Sequence, residues 1–126
     1  TRDHRGFAGL SRGSKTTVNS GMMHCADLFA YIGSYSGAWA DVEAFKEILE
    51  SEEYRNCDFK YWYNGNGTED FSLENHEEFL NEVLEKMPDR FSLDKNVGWV
   101  VFDGGGHAYN CWSADLYNSL LVFFKK

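Results

Sequence analysis

Short apolar runs alternate with amphipathic segments four times along the chain. The apolar runs span residues 6–10, 28–32, 59–63 and 97–102. The amphipathic segments, with apolar side chains at helical spacing, span residues 18–23, 42–49, 73–87 and 114–124. The runs predict strands and the periodic segments predict helices, and the nearly continuous last run predicts a strand buried on both faces. Such cycles over short connections predict an α/β fold, a parallel sheet with helices on both faces and right-handed crossovers.

The residues between these segments predict where the elements end. The run Asn64–Thr68 is typical of a turn, Pro88 ends the third helix, and Ser113 is a plausible N-cap of the last helix. The third helix carries His76 within a stripe of five glutamates, namely Glu74, Glu77, Glu78, Glu82 and Glu85. We interpret this stripe as a solvated face rather than a cation site, which places His76 at the surface.

Composition and charge exclude several classes of function. With 126 residues, 43% hydrophobic and 25% charged, the chain is expected to form one folded domain. Its net charge of −8, with no basic cluster, argues against nucleic acid or an anionic membrane as a partner. The longest apolar stretch, Leu116–Phe124, is shorter than the roughly 20 residues that cross a bilayer. Cys25, Cys57 and Cys111 form no C-x-x-C pair, so we expect no zinc site, no other cofactor and at most one disulfide.

A candidate nucleophile lies where the first strand meets the first helix. Gly9-Leu10-Ser11-Arg12-Gly13 has the pattern G-x-S-x-G. Flanking glycines permit a sharp turn that exposes the serine hydroxyl, and the backbone N–H of Arg12 is then placed to face a developing oxyanion. A serine between glycines is more often only part of a turn. Whether Ser11 is a nucleophile therefore depends on whether the chain also offers a base and an acid at the same sheet edge.

Of the four histidines, His107 is the candidate base. It follows Gly104–Gly106 after the last strand, at the sheet edge where Ser11 is expected and where parallel sheets carry their sites. His24 is expected within a helix and His4 before the first strand, so both are interpreted, like His76, as structural or solvated.

Three aspartates near strand ends are candidates for the acid that orients the base. Asp58 precedes its strand and falls at the wrong edge. Asp70 and Asp103 both lie at the correct edge. Asp70, in the loop after the third strand, fits the chain order serine, acid, histidine of α/β-hydrolases, whereas Asp103 lies only four residues before His107. We therefore favour Asp70 over Asp103, with its neighbour Glu69 as the alternative if the loop is shifted by one residue.

Three ordered motifs resemble the C-terminal half of carbohydrate esterase family one, which includes feruloyl and acetylxylan esterases. They are the elbow Gly9–Gly13, the loop Gly67–Asp70 and the segment Gly104–Trp112, followed by the helix Leu116–Phe124. The resemblance implies an α/β-hydrolase fold, with Ser11 as nucleophile, Asp70 as acid and His107 as base. It covers nearly the whole chain, residues 1–126, as part of an esterase domain.

The same resemblance implies a serine carboxylic-ester hydrolase that forms an acyl-enzyme and acts outside the cell. Release of ferulate or a related hydroxycinnamate from plant cell-wall polysaccharide is the first expectation, and removal of acetyl groups from xylan is the alternative. Trp39, Tyr109 and Trp112 are candidates for an aromatic substrate surface, although aromatic residues more often fill cores.

Two departures from the family pattern and a short chain complete the sequence picture. Arg12 stands where the family usually has methionine, and Ala108 stands where it often has aspartate. Family members are about twice as long, so the first strand is expected to leave an apolar sheet edge open. The missing half of the domain, or a second chain, would cover that edge, and a noncatalytic fragment that associates through it is a third reading of function.

Overall fold

A computed structural model describes residues 1–124. Its four strands form one parallel sheet in the order β1-β2-β3-β4. The strands are β1 (Gly6–Leu10), β2 (Tyr31–Tyr35), β3 (Tyr61–Gly67) and β4 (Val97–Phe102). The helices are α1 (Arg12–Thr16), extended by a π-helical turn (Thr17–Met22), α2 (Val42–Leu49), α3 (Leu73–Lys86) and α4 (Tyr109–Val122), with a 3₁₀ turn at Arg2–His4. The predicted α/β fold is confirmed.

The larger core lies between one face of the sheet and the first three helices. Ile32 and Trp62 point into it from the sheet and are fully buried. The helices add apolar residues at helical spacing, among them Val18, Met22, Phe45, Leu49, Phe79, Leu80 and Val83. Because successive strand residues point to opposite faces, this core takes only alternate residues of β2 and β3.

The opposite face is rich in tyrosine and is covered by α4. Tyr31, Tyr35 and Tyr63 are buried there with Phe123. Their hydroxyls need polar partners once water is excluded. The Tyr63 hydroxyl donates to Asp115 at 2.9 Å, and the Tyr35 hydroxyl bonds Ser119 at 2.6 Å. The two helix-covered faces confirm the predicted layering.

Two strands extend further towards the site than the sequence predicts. β2 reaches Tyr35, and β3 contains Asn64–Gly67, which is most of the run Asn64–Thr68 predicted as a turn. These residues pair with β4 from Trp99 to Phe102, and ladder pairing overrides the local turn preference of Asn and Gly. The amides of Asn64 and Asn66 are buried and hydrogen-bonded, so polar side chains are accommodated within a central strand.

The last strand and helix also differ from prediction. α4 begins at Tyr109, with Ala108 as its N-cap, so Ser113 lies inside the helix instead of capping it. Within β4 only Val97 is buried and the other residues are partly exposed. In residues 1–124, β4 pairs only with β3, which leaves one edge of this strand without a neighbour. The prediction of a strand buried on both faces is therefore wrong.

The other sheet edge is formed by β1. Within the described residues β1 pairs only with β2, and Leu10 at its end is 43% exposed. Cys25, Cys57 and Cys111 are all free thiols. No helix in residues 1–124 combines the length and the apolar character needed to span a membrane.

Candidate active site

Ser11 occupies a strained turn between β1 and α1. Its backbone has φ 56° and ψ −119°, a conformation that residues other than glycine rarely adopt. The Ser11 N–H donates to the carbonyl of Tyr35 at 2.9 Å, and its own carbonyl accepts from Ser14 N–H at 3.0 Å. These bonds hold the turn in place, and the Ser11 side chain faces the cleft at the end of the sheet.

The two glycines of the motif play different parts, and Gly9→Ala is expected to destabilise the fold by about 1–3 kcal/mol. An added Cβ at Gly9 would overlap the backbone carbonyl of Gly13 and lie 2.8 Å from Thr17 Oγ1. Because backbone blocks the space, relief would require β1 and α1 to move apart. Urea unfolding followed by tryptophan fluorescence measures the loss.

Gly13→Ala is the matched control. A Cβ at Gly13 meets nothing within 4 Å in the described residues, and alanine favours a helix over glycine by about 1 kcal/mol. We expect this variant to unfold at an equal or higher urea concentration than the parent protein. Equal loss of stability in both variants would show that the elbow does not depend on the close approach at Gly9.

The structure brings Ser11, His107 and Asp70 into one hydrogen-bonded chain. His107 Nε2 lies 2.8 Å from Ser11 Oγ, and His107 Nδ1 lies 3.1 Å from each carboxylate oxygen of Asp70. With Nδ1 protonated towards the carboxylate, Nε2 is free to accept the proton of the serine. The arrangement fits a serine, a base and an orienting acid, while the roles themselves stay predictions.

The Asp70 carboxylate is held in its ionised form by its neighbours. Burial, which leaves the side chain without solvent exposure, pushes its pKa upward. The N–H and hydroxyl of Ser72, at 2.8 and 2.7 Å, push the pKa down, as do Ser36 and His107. The net effect lowers the pKa of Asp70 below its usual 3.8. An ionised acid is what stabilises a histidine that becomes protonated.

The other candidate acids lie elsewhere. Asp103 is exposed in the turn after β4, and Glu69 is exposed with its N–H bound to the carbonyl of Gly105. Asp58 lies at the opposite end of the sheet, beside Arg90. Within residues 1–124, no group of three His, Cys, Asp or Glu side chains is placed to hold a metal ion.

The prediction that His76 lies on an exposed face is wrong. His76 is fully buried between α3 and β3. Its Nε2 lies 3.0 Å from Asn64 Oδ1, and its Nδ1 lies 2.9 Å from Asn66 Nδ2 and 3.2 Å from the N–H of Gly37. Nδ1 faces two donors, so it accepts and Nε2 carries the proton. Burial lowers the pKa of His76 to about 3, against the opposing charge of Asp70, so this imidazole is neutral.

His76 connects the loops on both sides of the site. Asn66, which bonds His76, also donates to Ser72 Oγ at 3.2 Å, and Ser72 bonds Asp70. Gly37, which donates to His76, accepts a hydrogen bond from the Ser14 hydroxyl of α1. The loop that carries Asp70 and the helix α1 are thus joined through one buried histidine, His76.

His24, expected within a helix, instead lies exposed just after the π-helical turn.

A cleft of about 550 Å³ opens above Ser11 and His107. Trp39 and Phe71 line it and expose 52% and 82% of their surface. Phe71 packs on the His107 ring at 4.5 Å between centroids. Sequence reasoning missed Phe71, although its place directly after Asp70 is a signal that was available.

The other two predicted aromatic residues lie outside this cleft. Trp112 packs edge-on against His107 at 5.2 Å, and its Nε1 donates to Ser36 Oγ at 2.8 Å. It therefore supports the histidine from behind. Tyr109 is 78% exposed at the start of α4 and does not line the cleft. Substrate contacts by Tyr109 and Trp112 stay predictions without support from the cleft.

Arg12 is the first residue of α1. The first N–H groups of a helix have no intrahelical acceptor, so the Arg12 N–H is available as a donor beside the nucleophile. Its use as an oxyanion donor remains a prediction. The Arg12 side chain lines the cleft.

Comparison with solved structures finds esterases and a related hydrolase with a similar fold. No family model matches the chain. The feruloyl esterase module of Clostridium thermocellum, in a mutant complexed with sinapinate, is 25% identical with a TM-score of 0.78, and the match covers 98% of this chain and 46% of that one. A ferulic acid esterase from Anaeromyces mucronatus is 20% identical with a TM-score of 0.70, covering 98% and 45%. S-formylglutathione hydrolase from Staphylococcus aureus is 15% identical with a TM-score of 0.63, covering 95% and 51%.

The chain spans a little under half the length of the feruloyl esterases that it matches. That share agrees with the expectation of a half domain. The resemblance inferred from the three sequence motifs is confirmed by these structures. The chain is similar, over nearly all of its length, to part of the feruloyl esterases of carbohydrate esterase family one, and it has the corresponding portion of an α/β-hydrolase fold.

Proposed function

We propose that the protein containing this chain is a serine carboxylic-ester hydrolase that works through an acyl-enzyme. The observation that carries the proposal is the unbroken chain of hydrogen bonds from Ser11 through His107 to Asp70 at the floor of an open cleft. A serine hydroxyl is a weak nucleophile unless a base accepts its proton, and the 2.8 Å contact to His107 Nε2 provides that base.

The geometry supports a two-step reaction. His107 Nε2 takes the proton of Ser11 as Oγ attacks the ester carbonyl, and the Arg12 N–H stabilises the oxyanion. The protonated His107 then donates to the departing alcohol oxygen, which leaves an acyl group on Ser11. Water attacks this acyl-enzyme with His107 again as base, and the acid is released as Ser11 regains its proton. Asp70 orients His107 and stabilises its charged form throughout.

Ferulate or a related hydroxycinnamate is the proposed acyl group, esterified to plant cell-wall polysaccharide outside the cell. Trp39 and Phe71 give the cleft that contains Ser11 and His107 two exposed aromatic surfaces, and aromatic rings pair favourably with one another. The related esterase from Clostridium thermocellum is complexed with sinapinate. A short acyl group such as acetyl would leave both surfaces uncovered.

The open edge of β1 is the second element of the proposal. Leu10, at the end of this strand, is 43% exposed, and an unpaired strand edge readily accepts another strand. We propose that a further segment of the domain, or a second chain, pairs with β1 in the working protein. Consequently the 126-residue chain alone is expected to turn over esters weakly or not at all.

The test is covalent labelling of the full-length protein with a fluorophosphonate, combined with hydrolysis of methyl ferulate. We expect the label on Ser11 by peptide mass spectrometry, and Ser11→Ala to abolish both labelling and hydrolysis. Ser20→Ala, which changes an exposed serine in the π-helical turn, is the matched control and is expected to keep both. Labelling that persists in Ser11→Ala would overturn the proposal.

Trp39→Ala separates the two acyl groups. Loss of its aromatic surface is expected to lower kcat/KM for methyl ferulate more than for an acetyl ester, since only the larger acyl group reaches it. Equal effects on both esters would favour the acetyl alternative.

A further inference from the structure

Two cations line the cleft of this acidic protein, and among residues 1–124 no acidic side chain lines it with them. Arg12 and Lys15 contribute to the cleft wall, whose other residues are aromatic, small, histidine or neutral polar. The chain as a whole carries a net charge of −8. Local charge at the cleft therefore has the opposite sign to the rest of the molecule.

Neither cation has an acidic partner among the residues that the structure describes. Within residues 1–124, no acidic side chain forms an ion pair with Arg12 or Lys15, whereas Lys46, Lys60 and Lys86 each pair with a carboxylate. The Arg12 guanidinium also makes no hydrogen bond to the described residues, so both charges are available to a ligand.

The two cations share one face of α1, three residues apart, where like charges repel. Lys15 Nζ lies 5.3 Å from the centre of the Trp39 ring. The backbone at Trp39 is held in turn by Asn19, whose side-chain amide donates to the Trp39 carbonyl at 2.7 Å. The lysine is therefore held over an aromatic wall of the cleft, next to where a bound substrate would lie.

We propose that Arg12 and Lys15 form an anion subsite that selects esters carrying a carboxylate away from the reacting carbonyl. This inference rests on the proposed esterase function and specifies its substrate class. A carboxylate reaches such an ester either on the alcohol side, as in a uronic acid, or on the acyl side, as in a dicarboxylic acid. A single carboxylate is favoured over a polyphosphate because the negative charge of the whole chain repels extended polyanions.

The test compares matched pairs of esters on the full-length protein. On the alcohol side the pair is feruloyl glucuronic acid and feruloyl glucose, and on the acyl side it is 4-nitrophenyl hemisuccinate and 4-nitrophenyl butyrate. We expect kcat/KM to favour the charged member of at least one pair, and the pair that shows the preference identifies the source of the carboxylate. Arg12→Gln and Lys15→Gln should each reduce that preference about two- to fivefold, as removal of one exposed ion pair does. The preference should also fall as salt increases.

Lys46→Gln and Arg55→Gln are controls, because they remove surface cations outside the cleft and are expected to leave the preference unchanged. If hydrolysis depends on Ser11 but Arg12→Gln and Lys15→Gln do not alter the preference, the anion subsite is overturned and the esterase proposal stands. If neither ester of either pair is hydrolysed, the esterase proposal fails.

A binding measurement then decides on the subsite independently of turnover. Ser11→Ala protein is titrated with the two feruloyl sugars while tryptophan fluorescence is followed. Tighter binding of the glucuronic acid ester that disappears in Arg12→Gln and Lys15→Gln supports the subsite. Equal binding of both sugars, together with equal turnover of both acyl-side esters, overturns it.

Discussion

Asp70→Asn is expected to lower kcat for ester hydrolysis by about 10³–10⁴-fold while the fold remains intact. An asparagine that turns its NH₂ group towards His107 Nδ1 makes that nitrogen an acceptor and leaves the proton on Nε2. The Nε2 atom, 2.8 Å from Ser11 Oγ, then cannot accept the serine proton. The variant also removes the negative charge that stabilises protonated His107. Steady-state hydrolysis of methyl ferulate by the full-length protein measures the loss.

Asp103→Asn and Glu69→Gln are matched controls for this change. Both side chains are exposed near the same loops, whereas the ring nitrogens of His107 are hydrogen-bonded to Asp70 and Ser11. Each should alter kcat by less than about threefold, a change of under 1 kcal/mol in activation free energy. A large loss in Asp103→Asn with near-normal activity in Asp70→Asn would reverse the choice of acid that chain order and geometry support.

The sequence could place Ser11, Asp70 and His107 together because their signals are local or topological. The elbow pattern fixes Ser11 at a strand end, and parallel strands bring their carboxyl ends to one edge. β1, β4 and α2 were predicted with the observed bounds because each has an uninterrupted pattern and a clear boundary. In the same way, the choice of Asp70 over Asp103 rested on chain order and on loop position, both of which can be read from the sequence.

The buried polar network could not be predicted from the same patterns. His76 lies among glutamates in the sequence, and helical spacing alone does not show that it turns towards β3. Its burial depends on Asn64 and Asn66, which belong to a segment with the composition of a turn. Each polar group is stable inside only because the others supply its hydrogen bonds. Such mutual dependence across two elements becomes visible only when the elements are packed together.

His76→Gln is expected to remove part of the acid sensitivity of folding. In the folded protein the pKa of His76 is about 3, so the ring stays neutral until the pH falls to that value. In the unfolded chain the ring takes up a proton near its usual pKa of 6.5. Between these two values the unfolded state binds more protons, so stability rises with pH. The contribution is complete above pH 6.5 and is lost as pH falls towards 3. It amounts to about 3 kcal/mol between pH 7 and pH 4.

Urea unfolding of both proteins at pH 7, 5.5 and 4 tests this expectation. At pH 7 the glutamine variant should be the less stable by about 1–3 kcal/mol, because it cannot satisfy Asn64, Asn66 and Gly37 together. Since glutamine does not titrate, that difference should shrink as pH falls, and the order can reverse near pH 4. Comparing the two proteins at each pH cancels the titration of other groups, such as Asp115, whose pKa burial raises to about 7.

His24→Gln, a change at an exposed histidine, should match the parent protein at every pH. A difference between His76→Gln and the parent that stays constant from pH 7 to pH 4 would mean that His76 titrates alike in the folded and unfolded states.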